Sequence, residues 1–227
     1  MPAATRAIDE PVRQRSLRTH NLGLVLRQVA ACPDPVSRAE LSATTGLTKA
    51  TVSTLVDELI GGGLLAEVGP APRTGAGRPA VGLRLATAVA PAGLGLEINV
   101  DYLSCAVVDL TGAVRHRATH WADQRGRSPA QVGHDLGDLV AMACAQAGAQ
   151  RLDLAGVALA VPGLVAEGVV RVAPNLGWRE VELRSWLPDA LRDLPSDLPV
   201  TVDNEANLAT LAELATLGAG EPDSFLY

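Results

Sequence analysis

Residues 37–65 read SRAELSATTGLTKATVSTLVDELIGGGLL, and the side chains there that could do chemistry are short, polar and gathered in a few helical turns. Lys49, Ala50, Ser53, Thr54 and Asp57 fall opposite Val52, Leu55, Val56 and Leu59 on a helical wheel, with Thr48 at the helix start. Hydroxyls and an ammonium with no bulk around them suit hydrogen bonds to base edges and phosphates in a DNA major groove. Lys49 is the only lysine of the chain and stands in the first turn of this helix.

The elements that must position that face are also written in the sequence. Ser37 and Glu40 have the S-x-x-E spacing of a capping box, which starts a first short helix. Gly46 is the turn residue, free to take positive φ, and Thr48 caps the second helix. Upstream, residues 18–31 carry Leu22, Val25, Leu26 and Val29 at helical spacing, a third helix that closes a trihelical core. Gly61, Gly62 and Gly63 stop the reading helix. Residues 64–68 and 81–85 then read as two strands around PAPRTGAGRP, a loop of Pro, Gly and Arg. Three helices followed by a hairpin make a winged helix, whose loop carries Arg73 and Arg78 towards a narrow minor groove. Two blander readings stay open at this point: a helical hairpin within some larger core, and a solvated linker holding two stray arginines.

Charge divides the chain. Residues 1–90 hold ten Arg and Lys against seven Asp and Glu, net +3, and residues 91–227 hold nine against eighteen, net −9. Only the first part suits a polyanion. At 227 residues, 48% of them hydrophobic and mean hydropathy +0.18, the chain has ample material for a core. No apolar run approaches the ~20 residues of a membrane span. The N-terminus, MPAATRAIDEPVRQRS, shows no apolar export segment, so no membrane partner and a cytoplasmic location are expected. Cys32, Cys105 and Cys144 lack metal spacing and are expected to be buried thiols, with no metal site and no cofactor.

A second domain is expected from near Pro91. Residues 93–100, 103–110 and 113–121 read as a three-strand meander, and residues 129–148 as a long helix burying Val132, Leu136, Leu139, Val140 and Ala143. A strand over 154–161, a Pro162-Gly163 turn and a strand pair around Glu167-Gly168 follow. A helix over 183–194, a strand over 200–202, a helix over 204–218 and a last strand over 224–227 complete an α/β layer fold.

These residues resemble the ROK family of repressors and sugar kinases, and specifically its transcriptional regulators with an N-terminal winged helix-turn-helix. Residues 37–65 are similar to the family's DNA-binding segment, GAGRP to its wing, VPGLV and PNLGW to its sugar-side loops, and VDNEANLATLAE to its active-site helix. The resemblance implies a winged helix over 19–88 behind a tail of residues 1–18. Over 91–227 it implies the N-terminal lobe of an α/β actin-like domain, hexokinase-like and ribonuclease H-like.

Kinases of the family carry a glycine-rich D-x-G-G-T-K turn after the first strand, where backbone N–H groups close on ATP phosphates. Here the stretch reads Glu97-Ile98-Asn99-Val100-Asp101-Tyr102, and Glu205 stands where the family's general base is an aspartate. The expectation is therefore a regulator, not an enzyme: usually a dimeric repressor of carbohydrate metabolism that meets a double-stranded DNA operator and a sugar effector. The alternative is a glucokinase-like ROK sugar kinase with an appended DNA-binding head. By the resemblance, Asn204 and Glu205 meet sugar hydroxyls, with Gly163 and Asn175 close by; on their own terms Asp203 or Asn204 would cap the last helix and Glu205 complement its dipole. The resemblance also implies that the C-terminal half of the ROK domain is missing, which leaves the effector cleft one wall and this form no tight sugar binding.

Overall fold

The computed structural model describes residues 14–70, 81–86 and 91–216. The chain divides after Ala86 into two compact units, each with its own buried cluster. Arg73, Arg78 and the strand expected over 224–227 lie outside the described residues.

In the first unit, α1 (Gln14–Ala30), α2 (Arg38–Thr45) and α3 (Lys49–Gly61) surround Val25, Val29, Leu41, Val52, Leu55, Val56 and Leu59, all buried. The capping box is present: Ser37 Oγ accepts from the Glu40 amide, and the Glu40 carboxylate accepts from the Ser37 amide at 2.7 Å. Gly46 ends α2 at φ 72°, and Thr48 Oγ1 caps α3 by accepting from the Thr51 amide. β2 (Leu65–Pro70) and β3 (Val81–Leu85) pair antiparallel, as the hairpin reading requires. A third strand was not expected. β1 (Val36–Ser37) pairs with β3 through Val36 opposite Leu83, which makes the sheet β1-β3-β2.

In the second unit, β4 (Pro91–Ile98), β5 (Tyr102–Asp109) and β6 (Val114–Trp121) form the expected antiparallel meander. α4 (Pro129–Ala149) crosses over to β7 (Asp153–Val161), which lies parallel to β4, and β11 (Val200–Asn204) lies parallel to β7. The strand order is β11-β7-β4-β5-β6. Numbered within this sheet it runs 3-2-1-4-5 with the second strand antiparallel, the arrangement of a ribonuclease H-like, actin-like lobe. Alternate residues Leu94, Leu96 and Ile98 of β4 and Leu103, Cys105 and Val107 of β5 are buried beneath Val132, Leu136, Leu139, Val140 and Ala143 of α4. α6 (Glu205–Thr216) starts where β11 ends.

A small antiparallel sheet, β8 (Leu164–Ala166), β9 (Val169–Ala173) and β10 (Trp178–Glu182), includes the pair expected around Glu167-Gly168 and one strand more. The helix expected over 183–194 is broken. A 3-10 turn covers Leu183–Ser185 and α5 covers only Leu187–Ala190, because Pro188 lacks the N–H a continuous helix would use and instead begins a new one. Of the three thiols, all free, only Cys105 is fully buried; Cys32 and Cys144 are half-buried. No helix among the described residues is long and apolar enough to cross a membrane.

Candidate functional site

Two groups of side chains stand out, one in each unit. In the first, the polar face of α3 includes Asp57, and both acids of the helix are paired. Asp57 is held by Arg38 at 2.9 Å and Glu58 by Arg18, so both carboxylates of the helix are neutralised from α1 and α2. Thr48, Lys49, Ala50 and Thr54 are exposed and Ser53 is half-buried. Lys49 makes no ion pair or hydrogen bond among the described residues. Thr48 spends its hydroxyl on the cap, and Thr54 Oγ1 donates to the Ala50 carbonyl at 3.1 Å, which leaves its methyl on the outer face. Lys49 and Ser53 border a shallow groove with Ser37, Arg38, Ala39 and Val81. Arg18 and Arg38 escaped the sequence reading, because periodicity identifies a buried face and not the tertiary partner of an acid.

In the second unit the sheet face opposite α4 is lined with small residues. Gly95, Ala106, Ala158 and Ala160 floor an open cleft of about 920 Å³, with Glu97, Tyr102, Ser104 and Arg117 on the strands and Glu205 on α6 at its edges. Tyr102, Ser104 and Arg117 were not singled out in the sequence. The alternation Ser104, Ala106 on β5 and the pairing of Ala106 with Arg117 on β6 are the signals that place them on one face.

The turn between β4 and β5 occupies the place of a phosphate loop, and two of its amides are spent. The Asn99 amide donates to the Tyr102 carbonyl at 2.9 Å, and the Asp101 amide donates to Asn99 Oδ1 at 3.3 Å. Arg125 donates to Asp101 Oδ1 at 2.8 Å, so the acid of this turn is itself paired. Tyr102 Oη donates to Glu97 Oε1 at 2.8 Å; that bond, with burial behind it, pushes the phenol above its ordinary pKa.

At the end of β11, Asn204 organises three of its neighbours. Its Nδ2 donates to the Gly163 carbonyl at 2.8 Å and to Glu205 Oε2 at 2.7 Å, and its Oδ1 accepts from the Ala206 amide. Asp203 Oδ1 accepts from the Asn204 amide and from Asn207 Nδ2. Gly163, Asn204 and Glu205 are therefore brought together. Asn175 is exposed in the 3-10 turn Pro174–Leu176 and shares no hydrogen bond with them among the described residues. With both Asn204 N–H groups engaged, what the cluster offers outward is carboxylate oxygen, an acceptor set suited to hydroxyl donors. Asn204 serves as helix-start acceptor and as anchor at once.

Comparison with known proteins follows the same division. Residues 93–227 match the ROK family, and residues 22–69 match the IclR helix-turn-helix domain. The xylose repressor of Bacillus spizizenii is 28% identical over 94% of this chain and 53% of its own length. That of Caldicellulosiruptor bescii is 33% identical over 78% of this chain and 43% of its own. The chain thus spans about half the length of the curated relatives it matches. A crystal structure titled as a ROK family transcriptional regulator, homolog of E. coli MLC protein, superposes with TM-score 0.67 at 25% identity, covering 88% of this chain and 49% of the other. A match running from residue 93 to residue 227, over a sheet with this strand order, leaves one conclusion: the chain belongs to the ROK family.

Proposed function

We propose that this chain is a sequence-specific DNA-binding regulator of repressor type, not an enzyme, that acts as a cytoplasmic homodimer with a sugar or sugar derivative as effector. The observation that carries the reading is the pairing of charge on α3: Asp57 and Glu58 are held by Arg38 and Arg18, and Lys49 has no ion pair among the described residues and stands among short polar side chains. Such a surface approaches a duplex without like-charge repulsion. In this reading residues 19–88 are the DNA-binding domain behind a tail of residues 1–18. Thr48, Lys49, Ala50, Ser53 and Thr54 face the major groove, and Arg73 and Arg78 enter the minor groove beside it. Residues 91–227 are the N-terminal lobe of the ROK domain, in which Asn204 and Glu205, with Gly163 and Asn175, meet the effector. The similarity to proteins named xylose repressor supports both the sign of regulation and the sugar.

The kinase alternative is disfavoured by the β4–β5 turn, whose Asn99 and Asp101 amides are bonded within the turn instead of free for phosphate. Selection of duplexes from a random-sequence library by the 227-residue chain tests the proposal. Enrichment of one pseudo-palindromic motif is expected, with no ATP-dependent phosphorylation across a monosaccharide panel. Sugar turnover, or failure to enrich any motif, overturns it.

A further inference from the structure

The reading helix and the wing strand that follows it are joined by Gly61, Gly62 and Gly63, a run with little conformational stiffness of its own. Gly63 sits at φ 70°, and a Cβ at Gly61 or Gly63 would touch nothing within 4 Å, so the turn itself is open, although Leu59 before it and Leu65 after it are buried in one cluster. Three backbone hydrogen bonds cross it: Gly62 to Glu58, Gly63 to Ile60 and Leu64 to Leu59.

One side chain spans the turn from outside. Arg38, at the start of α2, donates through Nη2 to Asp57 Oδ1 at 2.9 Å and through Nη1 to Glu67 Oε1 at 2.7 Å. Asp57 lies on α3 four residues before Gly61, and Glu67 lies on β2 four residues after Gly63. The two acids stand on either side of the hinge, and the planar fork of one guanidinium holds both, which an ammonium could not do in the same geometry. The Arg38 side chain is only 29% exposed, whereas that of Asp57 is 69% exposed and is held by it.

We propose that Arg38 is a positioning residue that sets the angle between reading helix and wing by clamping Asp57 and Glu67 across the glycine turn. The proposal rests on the DNA-binding reading for its purpose, but the clamp is testable without DNA. Ion pairs of this exposure contribute little to global stability. The clamp acts by narrowing the range of wing orientations, and so by lowering the ordering cost on a duplex.

The experiment uses the 227-residue chain and the variants Arg38→Met, Arg38→Lys and Glu67→Gln, with Arg38→Met also made in the Glu67→Gln background. Amide hydrogen exchange at Gly62, Gly63 and Leu64 is expected to quicken about fivefold in Arg38→Met while the core amides of Val52 and Leu55 are unchanged. Arg38→Lys, which keeps the charge but loses the fork, should quicken it as well. Unchanged exchange at the turn overturns the clamp whether or not the protein binds DNA. On the duplex selected by the wild-type chain, Arg38→Met should lose about fivefold in affinity alone and little when Glu67→Gln is already present. An equal loss in both backgrounds would make Arg38 a direct phosphate contact and also overturn the proposal. Failure of the wild-type chain to select a duplex would count against the DNA-binding reading and leave the exchange result to decide the clamp.

Discussion

The side-chain amide of Asn204 donates to the carbonyl of Gly163 across 41 positions of sequence, at 2.8 Å. This bond ties the end of β11 to the turn that enters the β8–β9 hairpin, and it fixes the carboxamide so that its second N–H orients Glu205. Gly163 cannot be replaced within that arrangement: φ is 145°, and a Cβ would lie 2.3 Å from the Val172 carbonyl oxygen.

Asn204→Ala is accordingly expected to leave the Gly163 carbonyl and the Ala206 amide without their partner, at a cost of ~1–3 kcal/mol. Gly163→Ala should cost at least as much, through strain and overlap with backbone. Urea unfolding of both variants, followed by tryptophan fluorescence, is the measurement. Wild-type stability for Asn204→Ala would mean that water replaces the bond freely.

On DNA, Lys49→Ala and Ser53→Ala should behave differently. Loss of a phosphate contact lowers affinity on every sequence and flattens the salt slope by about one, whereas loss of a base-edge contact costs ~1–3 kcal/mol and relaxes one position of the site. Because Lys49 has no partner to release among the described residues, its effect should be of the first kind. Titrations at two salt concentrations on selected and scrambled duplexes separate the two.

Acid sensitivity should centre on Asp109. Its side chain is buried, and burial alone would raise its pKa. Bonds from the Thr111 hydroxyl and amide, the Ala113 amide and Arg115 outweigh that and hold it below the ordinary value. A carboxyl depressed on folding contributes stability that is present above its unfolded pKa, near ~3.9, and is lost as pH falls through the folded value. Asp109→Asn is therefore expected to lose ~1–3 kcal/mol at neutral pH and to converge on wild type as both are acidified. Denaturation at pH 7 and at pH 3 would reveal a constant gap if the interaction were not ionic.

Packing of α4 allows a paired test. A Cβ at Gly133 would meet the Trp186 ring at 2.7 Å, whereas one at Gly148 would meet nothing within 4 Å. Gly133→Ala should destabilise by ~1–3 kcal/mol through overpacking, and Gly148→Ala should stabilise by up to ~1 kcal/mol through helix propensity. Thermal unfolding of the two variants should move in opposite directions.

Elements made by local patterns were legible in the sequence. The caps at Ser37 and Thr48, the stripe Val52, Leu55, Val56 and Leu59, and the β4–β5–β6 meander all depend on spacing within a few residues. Elements made by distant partners were not. β1 is two residues long and exists because Val36 finds Leu83, and β10 exists because Trp178 finds Ala173. Leu183, Leu187, Leu191 and Leu194 carry helical spacing that Pro188 interrupts. The same distinction governs the sites. Lys49, Ser53, Asn204 and Glu205 sit in local motifs, whereas Arg38 and Arg117 gain meaning only from strands and helices remote in sequence.

Val25, Leu41, Val52 and Leu83 enclose one interior, and Leu94, Leu103, Leu136 and Leu159 enclose another. A recombination crossover anywhere between residues 86 and 91 cuts neither. A crossover at that seam would therefore leave each buried cluster with its own full set of side chains, so either unit can be exchanged with its own interior intact.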